Sequence, residues 1–398
     1  IDMLQHALRA VESGDASSVL LLAGDVFGPG DFRTVAETYN RATRDHLAPI
    51  PSGGPNAVFA LLTQRHMERH GLARTDYGRL VVAQRLRAAE NPNAAYREPL
   101  TLEQYLEATI VADPLCLLDC VPVVSGADAV LVSTDGAGVR VRALGALHNA
   151  DRHEGDGLST GLRELGPGLW EDAALGPDEV DLVAVYDDYP AIVLVQLEDL
   201  GFGVPHTVLD ALEHGRLALN TAGGQLSAGQ AGAAGGLHGL VEAVQQLRGR
   251  AGARQIIGPR HALVTGYGMV AYRHGACADA AVLERPWFPG GRCACARVAA
   301  GRECPAATGA PSAAERLPAR GGPTRARSRR RRSCERASAR PAPRAGSVSC
   351  GWPAAEPWSP GSRPARGQAP GWRSSMTRVP RWRDRSDARS PIVELVQG

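Results

Sequence analysis

The chain has 398 residues and contains no lysine: all 44 basic residues are arginine, set against 42 acidic ones. It can therefore supply no Schiff-base amine, no lysine-bound pyridoxal and no P-loop lysine of its own. No apolar run approaches the roughly 18 residues of a membrane span, and no signal peptide is visible. The net charge of +2 hides two unlike parts, because residues 1–286 hold 22 Arg against 35 acidic residues while residues 287–398 hold 22 Arg against 7. The length allows two domains with a sizeable core. Of the eight cysteines, Cys116, Cys120 and Cys277 lie in the first part, and no C-x-x-C pair has zinc spacing. These three read as reduced thiols of a cytoplasmic protein.

Residues 1–12 show helical periodicity through Ile1, Leu4, Ala7, Leu8 and Val11, and SSVLLLAGD follows as a buried strand. Helix, short turn and buried strand is the rhythm of an α/β fold. The chain opens inside that helix rather than at a methionine, which reads as a fragment lacking its N-terminus. PSGGP at 51–55 is a loop, and residues 56–71 and 77–89 are helices. In the first of these, His66 and His70 stand one turn apart with Glu68 between them. A zinc site needs a third ligand and the pattern is not H-E-x-x-H, so the pair reads as a solvated face and no metal is expected. Cys120, in an apolar run without an adjacent histidine, reads as a buried structural thiol. Residues 129–134 and 138–147 are strands, and residues 150–158 a polar loop.

DEVDLVAVYDDYPAIVLVQLEDLGF then gives strand, polar break and helix. Its break, Tyr186-Asp187-Asp188-Tyr189-Pro190, sits at a strand end, where α/β folds form ligand crevices. Asp188 can also be read as the N-cap of the following helix, with Pro190 near its first turn. NTAGGQLSAGQAGAAGG follows at 220–236 and runs into LHGLVEAVQQLRG, with Gly249 in a C-cap position. Glycine lets a ligand approach the backbone, and the positive end of a helix favours an anionic oxygen there. The spacing is not the G-x-G-x-x-G of a dinucleotide site. HALVTGYGMVAYRHGACADAAVLER reads as two strands with a turn near Gly275. From 286 onward apolar periodicity stops and Arg, Ala, Pro, Gly and Ser dominate, a composition that cannot offset its ordering entropy. With no RNA or DNA motif present, nucleic acid is set aside as a partner. A GC-rich gene translated out of frame would give the same mixture.

Several of these segments together resemble the thiolase superfamily. Asn220, Gly223-Gly224, Gly229, Gln230-Ala231 and Gln246-Leu247-Arg248-Gly249 follow its N-x-x-G-G … G-H-P … Q-L-R-G passage. Asn91-Pro92-Asn93-Ala94, Asp119-Cys120 and Ser125-Gly126-Ala127 follow another, and Gly266-Tyr267-Gly268-Met269 stands where the family carries C-x-G. The resemblance covers about residues 1–285. It implies an α/β, layered αβαβα fold of two similar halves, with the N-terminal half incomplete and a disordered tail. The corresponding domains are 1–140, 141–286 and 287–398.

The family's catalytic histidine position holds Gln230 and its second cysteine position holds Tyr267, while the acyl-accepting cysteine would lie upstream of Ile1. Glutamine takes no proton at neutral pH. The pattern looks closest to the lipid-transfer-protein and sterol-carrier branch, which includes aldolases that cleave steroid side chains from CoA thioesters. A retro-aldol cleavage of a β-hydroxyacyl-CoA through an enolate is expected, with Tyr267, Tyr186, Asp187 and Gln230 catalytic. Asn220, Gly223, Gly224, Gly229, Tyr189, Gly266 and Gly268 are expected to bind substrate. Acyl transfer by an upstream cysteine, or acyl-CoA binding without catalysis, are the alternatives, and the chain as given need not be active. No cofactor is called for, since the CoA thioester is substrate. The resemblance further implies a dimer and a small OB-fold, zinc-ribbon partner protein.

Overall fold

The computed structural model describes residues 1–28, 55–134, 138–148, 156–271 and 274–285, together with the strand at 392–395. All of these belong to one compact unit, Ile1–Phe288 with Trp372–Gly398. The expected loops at 51–55 and 150–158 lie mostly outside the described residues, as does nearly all of 287–398.

In chain order the helices are α1 (Asp2–Glu12), α2 (Pro55–His70), α3 (Arg74–Ala89), α4 (Leu102–Glu107), α5 (Leu162–Ala173), α6 (Pro190–Asp199), α7 (Pro205–Glu213), α8 (Gly224–Ala228) and α9 (Gly235–Leu247). The strands are β1 (Ser18–Asp25), β2 (Ile110–Ala112), β3 (Leu115–Cys116), β4 (Gly126–Ser133), β5 (Val139–His148), β6 (Leu182–Ala184), β7 (His261–Ala271), β8 (His274–Glu284) and β9 (Ile392–Leu395). Seven strands form one mixed sheet in the order β1-β4-β9-β5-β8-β7-β6, and β2 and β3 pair separately. Strands of both expected domains thus share a sheet. Within the stretch expected to be a structureless tail, β9 pairs antiparallel with both β4 and β5. The hairpin of β7 and β8 turns earlier than near Gly275, since Ala271 already pairs with His274.

Alternation along the strands sends successive side chains to opposite faces, and helices cover both. On one face α1 contributes Leu4, Ala7, Leu8 and Val11, and α9 contributes Leu237, Leu240, Ala243, Val244 and Leu247. These pack on Val130, Val132, Leu182, Val264 and Leu283 of the sheet. On the other face α2, α3, α5, α6 and α7 bury Phe59, Leu80, Leu162, Ile192 and Leu209 against Ala143, Val183, Leu263 and Val282. Helix α6 is apolar nearly all round and is buried on every side, as a central element should be.

Some of the polar groups inside this core are tied. Asp199, at the end of α6, accepts hydrogen bonds from the Thr160 hydroxyl, Ser159 and Arg163. Cys120 is half-buried with its sulfur 3.7 Å from Asn56 Oδ1, and burial, with help from the Asp119 charge, pushes its thiol up to about 12. It is a protonated thiol, in keeping with the structural role read from the sequence. His66 departs from expectation: it does not belong to a solvated face but is fully buried, and burial pushes it down to about 3.

Candidate active site

Strand β6, at the edge of the sheet beside β7, ends at Ala184, and the chain leaves it as Val185-Tyr186-Asp187-Asp188-Tyr189 before α6 begins. Two side chains clamp the Tyr186 peptide. Its N–H donates to Thr265 Oγ1 at 3.1 Å, and its carbonyl accepts from Gln196 Nε2 at 2.7 Å. Thr265 in turn donates to Gln196 Oε1 at 2.7 Å, which closes the ring. The direction of the following acids is thereby set by α6 and β7 rather than by a sheet ladder.

The two neighbouring aspartates do different work. Asp187 is 1 % exposed and accepts the backbone N–H of Gln225 at 2.8 Å and of Leu226 at 3.2 Å. It caps α8, a helical turn inside the stretch that reads in sequence as a flexible glycine loop. Gly224 has φ +60, and a methyl group added there would overlap Asp187 Oδ2. Gly224→Ala is therefore expected to destabilise the fold by about 1–3 kcal/mol, measurable by urea unfolding. Asp188 does not cap α6, whose N-cap Tyr189 makes no side-chain capping bond. It instead accepts from Gln230 Nε2 at 2.8 Å and from the Tyr186 hydroxyl.

Gln230 Nε2 also donates to Tyr186 Oη at 3.0 Å, so phenol, carboxyl and amide form a closed triangle. Its own backbone is held by Pro122 and Val124. Burial pushes both carboxyls up, each to about 7. For Asp187 the two backbone N–H groups oppose the rise, and for Asp188 Gln230 and Tyr186 do. Two carboxyls that burial pushes toward neutrality thus stand side by side at the strand end.

Beside this triangle lies a cavity of about 490 Å³, whose wall includes Tyr186, Asp187, Asn220, Gln225, His238 and Thr265. Asn220 has φ 44 and fastens Val185 N–H through its Oδ1 at 2.8 Å. Its Nδ2, and Gln225 Oε1, are buried without a hydrogen-bond partner. A donor and an acceptor left uncommitted in one cavity wall suit a polar ligand, since buried groups without partners are costly. His238 Nδ1 bonds Asp128 at the same wall. Further along, Glu242 is satisfied by Thr221, Gln246 and Arg254, a closed structural network.

Of the expected site residues, Tyr186, Asp187, Asn220, Gly224 and Gly229 line this cavity, and Gln230 joins it through Tyr186. Gly223 packs on Ala88 instead. Tyr189 points away: it stacks on Phe59 with centroids 4.1 Å apart and its hydroxyl donates to Asn56 at 2.6 Å. Tyr267, expected opposite Gln230, is 4 % exposed within the core cluster and does not line the cavity. Strand alternation gives the reason: Thr265 reaches the wall, and two residues further on the same face has passed into the packed interior. Gly266 lies against Asp279, and Gly268 pairs with Cys277.

The expected cradle of free N–H groups is also partly filled from within. Asp187 takes those of Gln225 and Leu226, and Asp25 takes that of Ala233 at 2.6 Å, ahead of α9. Asp188, which the sequence offered as a helix N-cap, instead joins Gln230 and Tyr186. Among the described residues no cysteine lines the cavity, and burial raises Cys116 while pushing Cys277 up to about 12.

A layered fold of this kind, with a glycine-rich turn leading into α9, defines a class. Residues 145–280 match the thiolase C-terminal domain-like family. A 17-hydroxy-3-oxo-4-pregnene-20-carboxyl-CoA lyase of Mycobacterium tuberculosis is 33% identical over 293 residues, covering 66% of this chain and 74% of that protein. A steroid side-chain-cleaving aldolase of Thermomonospora curvata is 31% identical over 278 residues, 62% of this chain and 69% of that one. Among solved structures, the Ltp2-ChsH2(DUF35) aldolase superposes with a TM-score of 0.60 at 25% identity, over 71% of this chain and 76% of that chain. The chain belongs to the thiolase superfamily, in its sterol-carrier-like branch. Among the described residues no helix is long and apolar enough to cross a membrane.

Proposed function

We propose that this protein cleaves a β-hydroxyacyl-CoA thioester by a retro-aldol reaction, as the relatives named lyase and aldolase do. The observation that supports this most is the hydrogen-bonded triangle of Tyr186, Asp188 and Gln230, which meets the cavity wall through Tyr186. Asp188, as carboxylate, takes the β-hydroxyl proton through the Tyr186 phenol. The C–O bond becomes a carbonyl, the Cα–Cβ bond breaks, and its electron pair passes to the thioester as an enolate. Asn220 Nδ2 donates to the developing oxyanion, the role in which a preorganised donor contributes most. The proton held by Asp188 then returns to Cα, leaving a carbonyl product and a shortened acyl-CoA. The reaction calls for no cofactor.

The proton-transfer role moves here from Tyr267 to Asp188. Tyr267→Phe is expected to retain turnover within about threefold, because a buried phenol off the cavity wall has no proton to move in this scheme. The second protein in the name of the aldolase neighbour, ChsH2(DUF35), supports a partner subunit for this chain, and we place the protein in the cytoplasm. The reading is tested by incubating the full chain with a β-hydroxyacyl-CoA and following products by mass spectrometry. A shortened acyl-CoA with an equimolar carbonyl compound supports it. Thiolysis of a β-ketoacyl-CoA by free CoA, without cleavage of the hydroxy substrate, would replace it with acyl transfer.

A further inference from the structure

Far along α2 from the sequence standpoint, and outside the cavity wall, stand two histidines that the aldol reading leaves unused. His66 and His70 are four residues apart on α2, so their rings project from one face, with centroids 4.7 Å apart. Helix α6 brings Glu198 to them, its Oε2 lying 3.4 Å from His70 Nε2. One donor atom from each of the three residues falls within 4.8 Å of the other two. Zinc holds imidazole nitrogen and carboxylate oxygen at about 2.0–2.2 Å, which sets tetrahedral ligands roughly 3.3 Å apart. His70 and Glu198 already have that separation, and His66 brings its ligand nitrogen within 4.8 Å of both.

A second observation points to a ligand. His66 is 0 % exposed, its Nδ1 is fixed by the Tyr77 hydroxyl at 2.8 Å, and its Nε2 has no hydrogen-bond partner. A ring held through one nitrogen by an oxygen, with the other nitrogen free, is how metal-binding histidines are oriented. Arg69, the basic residue between the two histidines, is paired with Asp156. His70 and Glu198 keep 11% and 20% of their side-chain surface exposed, so an ion and its water can enter from solvent.

We propose that His66, His70 and Glu198 bind a divalent cation of the zinc class, with water as fourth ligand. Two imidazoles and one carboxylate favour zinc over magnesium or calcium, which take oxygen ligands. The ion fastens the C-terminal turn of α2 to that of α6, the helix whose first residue follows the Tyr186–Tyr189 segment. It is a structural clamp and takes no part in the carbon chemistry.

The test uses the full chain after dialysis against a chelator. Zinc chloride is titrated calorimetrically, and cobalt(II) is titrated with optical detection. The parent is expected to bind one equivalent of zinc, and His70→Ala and Glu198→Gln each to weaken binding at least about tenfold. Both substitutions lie at positions that keep only part of their surface exposed, and circular dichroism establishes whether the variants keep the parent fold. The cobalt spectrum should show d–d bands without a sulfur-to-metal charge-transfer band. Absence of saturable binding overturns the proposal. So does parent-like affinity in both folded variants, or a sulfur charge-transfer band, which would assign the metal to cysteine.

Discussion

Asp188→Asn is expected to slow thioester cleavage by about 10²–10⁴-fold, the usual worth of a positioned proton-transfer group. The substitution keeps an oxygen that can accept from Gln230 and Tyr186, so the triangle and the fold should survive. What disappears is a group that titrates near pH 7. The parent should therefore gain rate as pH rises through about 7, because the reactive form is the carboxylate, and level off above it. A steady-state pH profile of kcat/KM checks both statements. Parent-like turnover in Asp188→Asn, with the same rise across neutral pH, would remove Asp188 from the proton path.

The second large effect concerns its neighbour. Asp187→Ala strands the N–H groups of Gln225 and Leu226 in the interior and uncaps α8, which should cost about 2–4 kcal/mol. Because α8 and Gly229 lead directly to Gln230, cleavage should fall as well. Asp187→Asn, which keeps an acceptor oxygen, is expected to recover most of the stability. Linkage gives an independent sign. Both carboxyls titrate at about 7 in the fold and near 4 when unfolded, so the folded state holds the extra protons between those values. Their contribution to stability is complete below about pH 4 and is lost as pH rises through about 7. Asp187→Asn removes one of these titrations, so the parent should lose stability more steeply over that interval. Denaturant midpoints taken at pH 4, 5.5 and 7, roughly spanning the two values, measure it.

The fold was largely legible in the sequence because its core obeys simple periods. Leu4, Leu8 and Val11 on α1, and Leu237, Leu240, Val244 and Leu247 on α9, recur every three to four residues and all are buried. The break from Tyr186 to Tyr189 stood out in the sequence by its chemistry at a strand end, and Tyr186 and Asp187 of it reach the cavity wall. Which aspartate would do what was not legible, because a loop has no period to tell which way a side chain turns. Asp187 and Asp188 are adjacent, yet one bonds α8 and the other Gln230. The same limit misplaced Tyr267, whose fate was set by where the cavity stops along β7. His66 was misjudged because its charged neighbours suggested a wet helix face. Tyr77, bonded to its ring, and Glu198, within 4.8 Å of it, come from other helices that only folding brings near.

The ring formed by Tyr186, Thr265 and Gln196 has a consequence for motion. Amide protons outside regular structure ordinarily trade with solvent deuterium soon after dilution, because local openings release them. The Tyr186 amide lies beyond the end of β6, but its acceptor, the Thr265 hydroxyl of β7, is itself held by Gln196 of α6. Its exchange should accordingly be slow for an amide outside regular structure, and Tyr186 enters its triangle with Asp188 and Gln230 from a fixed backbone.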